Sequence, residues 1–189
     1  RDIGLLASLL ALMLEAAPES VWTKLGIEKL VLLEGRSHSG LVEHNLNYDY
    51  ITDGIYIGTN QCCQTHFNLE LLQKGIGADI SLEENKMDMP FGVDFYLWLP
   101  VKDHAAPSKD QLNLGVKTLT DLINVGKKVY IHCKNGHGRA PTLFAAYLIS
   151  RGMEVNDAIK LIESKRSVIH LSEPQIKALN EFKTSMSKN

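Results

Sequence analysis

The sequence predicts an α/β fold: a central, mostly parallel, twisted sheet flanked by helices, with an N-terminal helical appendage. Two observations lead there. From residue 54 onward, short apolar or alternating segments take turns with longer ones whose apolar residues recur at helical spacing, and strands alternating with helices build a helix-covered sheet. In addition, VYIHCKNGHGRAPT (129–142) runs from an apolar stretch through glycine-spaced polar residues into a helix-like segment. A parallel strand delivers a loop to a helix N-terminus in this way.

The elements follow in order. GIYIGT (54–59) alternates as a strand does, and HFNLELLQKG (66–75) has helical spacing closed by Gly75. GADISLEEN (77–85) carries a short strand, and aromatic-rich VDFYLWLPV (93–101) another, which ends at the loop VKDHAAPS. In SKDQLNLGVKTLTDLINVG, Leu112, Val116, Leu119 and Ile123 share one face, with Ser108 as N-cap and Gly126 as terminator. KVYIHC reads as a fully apolar strand. APTLFAAYLISRG is apolar nearly all round, which predicts a central, buried helix. Asn156 is the expected cap of DAIKLIESKR, and Ser172 with Pro174 opens EPQIKALNEFKTSM.

This divides the chain into an N-terminal apolar helical segment, 1–40, and a compact domain, 45–185. The apolar run Ile3 to Ala17 is shorter than the roughly 20 residues that span a bilayer. A helix docked on the domain, the stub of a membrane anchor or interfacial helix, and a signal-peptide core are the three readings it admits.

Composition narrows the function classes. The 189 residues are 44% hydrophobic and 22% charged, with a formal net charge of -2, so no nucleic-acid partner is expected. Three cysteines, of which Cys62 and Cys63 are adjacent, make a poor disulfide framework. A reducing, cytoplasmic setting is therefore expected, with membrane association through the N-terminal segment as an addition. No CxxC pair exists and the seven histidines are scattered, so neither a metal nor another cofactor is expected.

Cys133 stands where strand gives way to helix, the place at which α/β sheets bind ligands. Lys134, Asn135, Gly136, His137 and Gly138 separate it from Arg139. A loop of this length can curl around a tetrahedral oxyanion with its amides aimed inward. Gly136 and Gly138 permit the turns, and Arg139 offers a planar fork for two phosphate oxygens. A helix N-terminus and nearby cations favour the thiolate, which makes Cys133 a nucleophile.

HCKNGHGRAPT resembles the phosphate-binding loop of cysteine-dependent protein tyrosine and dual-specificity phosphatases, pattern His-Cys-x5-Arg. The resemblance extends over about residues 45–183, and the compact length fits the dual-specificity branch. It implies Cys133, Arg139, Asp103 and His132 as catalytic residues and residues 134–139 as the phosphate cradle. Asp103 would be the general acid, lying thirty residues before Cys133 in LPVKDHAAPS. Asp94 and Asp110 are substitutes for that role, and His104 is a solvated neighbour. His132 would be the family's buried histidine that hydrogen-bonds the loop and tunes the cysteine.

After the arginine most family members carry Ser or Thr, whose hydroxyl helps the sulfur leave, whereas here Ala140 follows. GRAP and HAAPS resemble phosphatases of regenerating liver, a slow branch. That branch's prenylation motif and the redox cysteine of its second strand are both missing from this sequence. Lys134 and the apolar N-terminus suit a phospholipid as an alternative to phosphotyrosine, phosphoserine or phosphothreonine proteins. A phosphoprotein-binding module without turnover is the reading from another class, and sulfur transfer or arsenate reduction, with Cys62 or Cys63 as resolving thiol, is a third.

Overall fold

The computed structural model describes residues 46–60, 67–88 and 90–186. The expected N-terminal helical segment, together with Cys62 and Cys63, lies outside the described residues. The elements are β1 (Tyr48–Tyr50), β2 (Ile55–Gly58), α1 (Leu69–Gln73), β3 (Ile76–Glu83), β4 (Phe95–Val101), α2 (Lys109–Asn124), β5 (Lys128–His132), α3 (Arg139–Ser150), α4 (Val155–Lys165) and α5 (Glu173–Met186). The five strands form one sheet in the order β1-β2-β5-β3-β4. Only the β1–β2 pair is antiparallel. The mostly parallel α/β sheet expected from the alternation is thus present, with β5, whose C-terminal end leads into Cys133, at its centre.

The strand period of two explains the layers. Val129 and Ile131 of β5, Ala78, Ile80 and Leu82 of β3, and Leu99 and Val101 of β4 face one core, shared with α2 to α5. Tyr130 turns to the opposite face, where Phe67, Leu71 and Ile76 form a smaller apolar cluster. Helix α3 lies in the larger core, and every residue from Arg139 to Ile149 is buried. That agrees with its being apolar nearly all round.

Several local expectations change. β1 precedes the strand read at GIYIGT and pairs with it as an edge; three residues are too few for a periodic signal. On α2, Leu122 is buried, whereas Ile123 is only partly so. The capping box between Ser108 and Gln111 forms as the sequence suggests. Asn156 does not cap α4: the N-cap is Glu154, with no side-chain hydrogen bond. Ser172 donates its hydroxyl to the His104 carbonyl, 2.9 Å away, tying the start of α5 to the β4–α2 loop rather than capping a helix amide. No helix among the described residues is long and apolar enough to cross a membrane.

Candidate active site

The loop 133–138 leaves the C-terminal end of β5 and enters α3. Its N-cap, Gly138, supplies no side-chain acceptor to the first turn, so that turn can receive an anion. Gly136 has φ +66°, a left-handed conformation that glycine adopts without cost. A Cβ there would collide with the Gly58 carbonyl, and one at Gly138 would come 2.8 Å from Gln175 Oε1. Close backbone approach therefore requires glycine at 136, while at 138 a side chain would have to displace the buried end of Gln175.

Cys133 is buried and unpaired. A cavity of about 120 Å³ is lined by Cys133, Asn135, His137, Gly138, Arg139 and Asp103, with His104, His170, Ser172 and Gln175 at its other walls. The fold thus gathers the expected nucleophile, arginine, acid and most of the cradle around one opening. Arg139 is 2% exposed and extends across the ends of β3 and β4. Its Nη1 donates to Val101 O at 2.8 Å, and its Nη2 lies 3.3 Å from Glu83 Oε2 and 3.0 Å from Asp103 Oδ1. Asp94, the substitute acid, instead pairs with Lys127 at 2.6 Å, and Asp110 lies in the first turn of α2. Neither lines the cavity.

Two expectations need correction. Lys134 is exposed and is not among the cavity's lining residues, so it adds no direct contact to the cradle. His132 does not hydrogen-bond the loop. As the residue two after Tyr130, it points to the smaller-core face and stacks on that ring at 5.3 Å. There its Nε2 lies 3.3 Å from Asp79 Oδ1 and 3.2 Å from Asp88 Oδ2. Burial opposes charge on the ring, but the two carboxylates outweigh it and push His132 up to about 10. Burial also raises Asp79 and lifts the Tyr96 hydroxyl to about 12. Asp79, Asp88 and His132 are the group among the described residues whose donor atoms could hold a metal ion.

Three functional contributors were not apparent from the sequence. Arg166, fully buried, donates from Nε to the Gly136 carbonyl at 3.0 Å and from Nη2 to the Asn135 carbonyl at 3.1 Å, while Nη1 meets Asp49 at 2.6 Å. It holds the outer turn of the loop from behind. Gln175, also buried, accepts from the Ser172 amide and donates to the Ala105 carbonyl, both at 2.9 Å. That links the start of α5 to the segment carrying Asp103. His170 faces His137 with ring centroids 5.2 Å apart, and its amide donates to the His137 carbonyl. Burial, then His170 and Arg166, holds His137 below its ordinary value. Only the arginine that follows ESK, or a polar residue buried on a helix face, hinted at such roles, and both patterns are common in cores.

Residues 55–185 match the family described as "Dual specificity phosphatase, catalytic domain", and the chain belongs to that family. A human relative named "Phosphatidylglycerophosphatase and protein-tyrosine phosphatase 1" is 38% identical over 77 residues, which cover 40% of this chain and 38% of the relative. Across the first three curated relatives the match spans 38–40% of their length. Among solved structures, human DUSP28 superposes with a TM-score of 0.67 at 18% identity, covering 74% of this chain and 98% of that one. PTPMT1 in complex with PI(5)P gives 0.65 at 25% identity, covering 75% and 97%.

Proposed function

We propose that the chain hydrolyses phosphomonoesters through a cysteinyl-phosphate intermediate. The observation that carries this is the convergence of Cys133, Arg139 and Asp103 on one small opening at the start of α3. The Cys133 thiolate attacks phosphorus, an S–P bond forms and the P–O bond to the leaving group breaks. Asp103 gives the departing oxygen its proton. Water then attacks phosphorus and returns a proton to the Asp103 carboxylate, the S–P bond breaks and phosphate leaves. The loop amides and Arg139 carry the equatorial charge throughout. Substrate phosphate would compete with Asp103 for the Arg139 guanidinium, and the half-exposed Asp103 side chain would swing away to face the leaving oxygen.

Phosphotyrosine, phosphoserine or phosphothreonine proteins in a cytoplasmic setting are the substrates we favour. The opening is bordered by His104, His170 and Ser172, polar side chains beside which a peptide carrying the phosphorylated residue could lie. A membrane phospholipid is the second reading, supported by the relative whose name includes phosphatidylglycerophosphatase. Release of phosphate from a generic aryl phosphate, abolished by Cys133→Ser, tests the enzyme reading. A protein that binds phosphate without releasing it would refute turnover. A panel of phosphotyrosine peptide, phosphothreonine peptide and phosphatidylglycerophosphate vesicles, with and without residues 1–40, separates the substrates and tests membrane association.

A further inference from the structure

A second cluster of chemistry-bearing side chains lies on the sheet face opposite α3. Asp79 and Ser81 of β3 alternate outward from the large core and pair with Tyr130 and His132 of β5. Asp88 reaches the same place from the β3–β4 connection. Asp79, Asp88 and His132 are 1%, 2% and 0% exposed.

We propose that Asp79, Asp88 and His132 form a buried site for one divalent transition-metal ion, zinc being the best fit, separate from the cavity that holds Cys133. One ligand atom from each residue lies within 4.8 Å of the other two. His132 Nε2 is 3.3 and 3.2 Å from the two carboxylate oxygens. Tetrahedral N and O ligands about 2.0 Å from zinc stand roughly 3.3 Å from one another. A proton shared between imidazolium and carboxylate would instead close the gap to about 2.7–2.9 Å.

The hydrogen-bond pattern points the same way. Neither ring nitrogen of His132, nor any carboxylate oxygen of Asp79 or Asp88, makes a well-formed hydrogen bond, and the nearby Tyr96 hydroxyl is buried in the same state. Apart from the Nε2 contacts with the two carboxylates, His132 Nδ1, Asp79 Oδ2, Asp88 Oδ1 and the Tyr96 hydroxyl have no hydrogen-bond partner. Buried polar atoms in that state cost about 1–3 kcal/mol each, so such a cluster calls for a ligand. A mixed imidazole and carboxylate set suits zinc and its neighbours. Burial implies that the ion is captured as the chain folds. Once held, it would tie the last residue of β5 to β3 and to the β3–β4 connection, fixing the base from which Cys133 emerges.

The test uses the full chain, expressed with zinc or with cobalt in the medium and desalted. Elemental analysis should find about one ion per chain, retained in Cys133→Ser. In Asp88→Asn, folded by circular dichroism, retention should weaken beyond the roughly 10–100-fold that loss of an outer-shell partner causes. The cobalt form should show the visible bands of a tetrahedral site and no sulfur-to-cobalt charge transfer. Sub-stoichiometric metal, loss of metal in Cys133→Ser, or a sulfur charge-transfer band would overturn the proposal and leave a cluster that holds a proton instead. If Asp88→Asn does not fold, the cobalt spectrum of the wild-type chain decides alone. None of these readouts depends on phosphatase activity.

Discussion

Asp103 Oδ1 lies 3.0 Å from Arg139 Nη2, so the proposed acid rests against the guanidinium that would grip the substrate. Arg139 is buried, while the Asp103 side chain is 48% exposed. The carboxylate can therefore swing away, whereas the guanidinium is held in place by Val101 and Glu83. Removing the acid should slow turnover without emptying the cradle. Asp103→Asn is expected to lower kcat by about 10²–10⁴-fold on an alkyl or peptide phosphate. The loss should be much smaller for a nitrophenyl ester, whose leaving group needs no proton. Equal losses on both esters would exclude the acid role.

Ala140 is fully buried in the first turn of α3, in the same core as Cys133. Without a hydroxyl there, the sulfur in the proposed cysteinyl-phosphate would depart from phosphorus with one hydrogen bond fewer. A hydrogen bond to a charged group contributes about 1.5–3 kcal/mol, or roughly 10- to 100-fold in rate. Rapid mixing should show a burst of leaving group in the wild-type chain that shrinks in Ala140→Ser as the steady rate rises. A wild-type time course without a burst would place the slow step elsewhere.

Arg166 joins two loop carbonyls to Asp49 on the edge strand. Arg166→Met should leave the carbonyls of Asn135 and Gly136 without this donor. The Asp49 side chain is 41% exposed and can be re-solvated, so the expected cost is about 2–3 kcal/mol, read from the urea midpoint. Vanadate affinity should fall as well, because the outer turn of the loop loses its brace. Unchanged vanadate binding in a folded variant would show that the loop holds its shape alone.

His137 gives a pH dependence of definite sign. Its folded value lies below the ordinary 6.5 because of burial and the charges of His170 and Arg166, so folding favours the neutral ring. The associated stability is fully present above about pH 6.5 and is lost as pH falls through the folded value. The gap in urea midpoint between the wild-type chain and His137→Gln should therefore shift against the wild type on going from pH 7 to pH 5. A constant gap would mean that His137 titrates alike in both states.

Much of the site was legible in the sequence because its parts are local. The turn from β5 to α3 places Cys133, two glycines and Arg139 within seven residues, and steric necessity at Gly136 is written directly into residue type. Asp103 was legible only through its distance from Cys133 in a familiar pattern. The expected hydrogen bond from His132 to the loop rests on the family resemblance alone, whereas period-two alternation along β5 turns the ring to the Tyr130 face. Arg166 and Gln175 could not be placed, since each acts on backbone some thirty or more residues away.

By itself, the sequence determined the alternation of strands and helices, the helix-entering loop and the identities of the sulfur, guanidinium and carboxylate around it. These depend on propensity, glycine sterics and side-chain chemistry within short windows. Only the tertiary structure decided that Arg166 backs the loop, that Asp103 meets Arg139, and that Asp79, Asp88 and His132 converge beneath the sheet. Such meetings depend on strand order and register, which bring distant residues to one point and are set by packing of the whole chain.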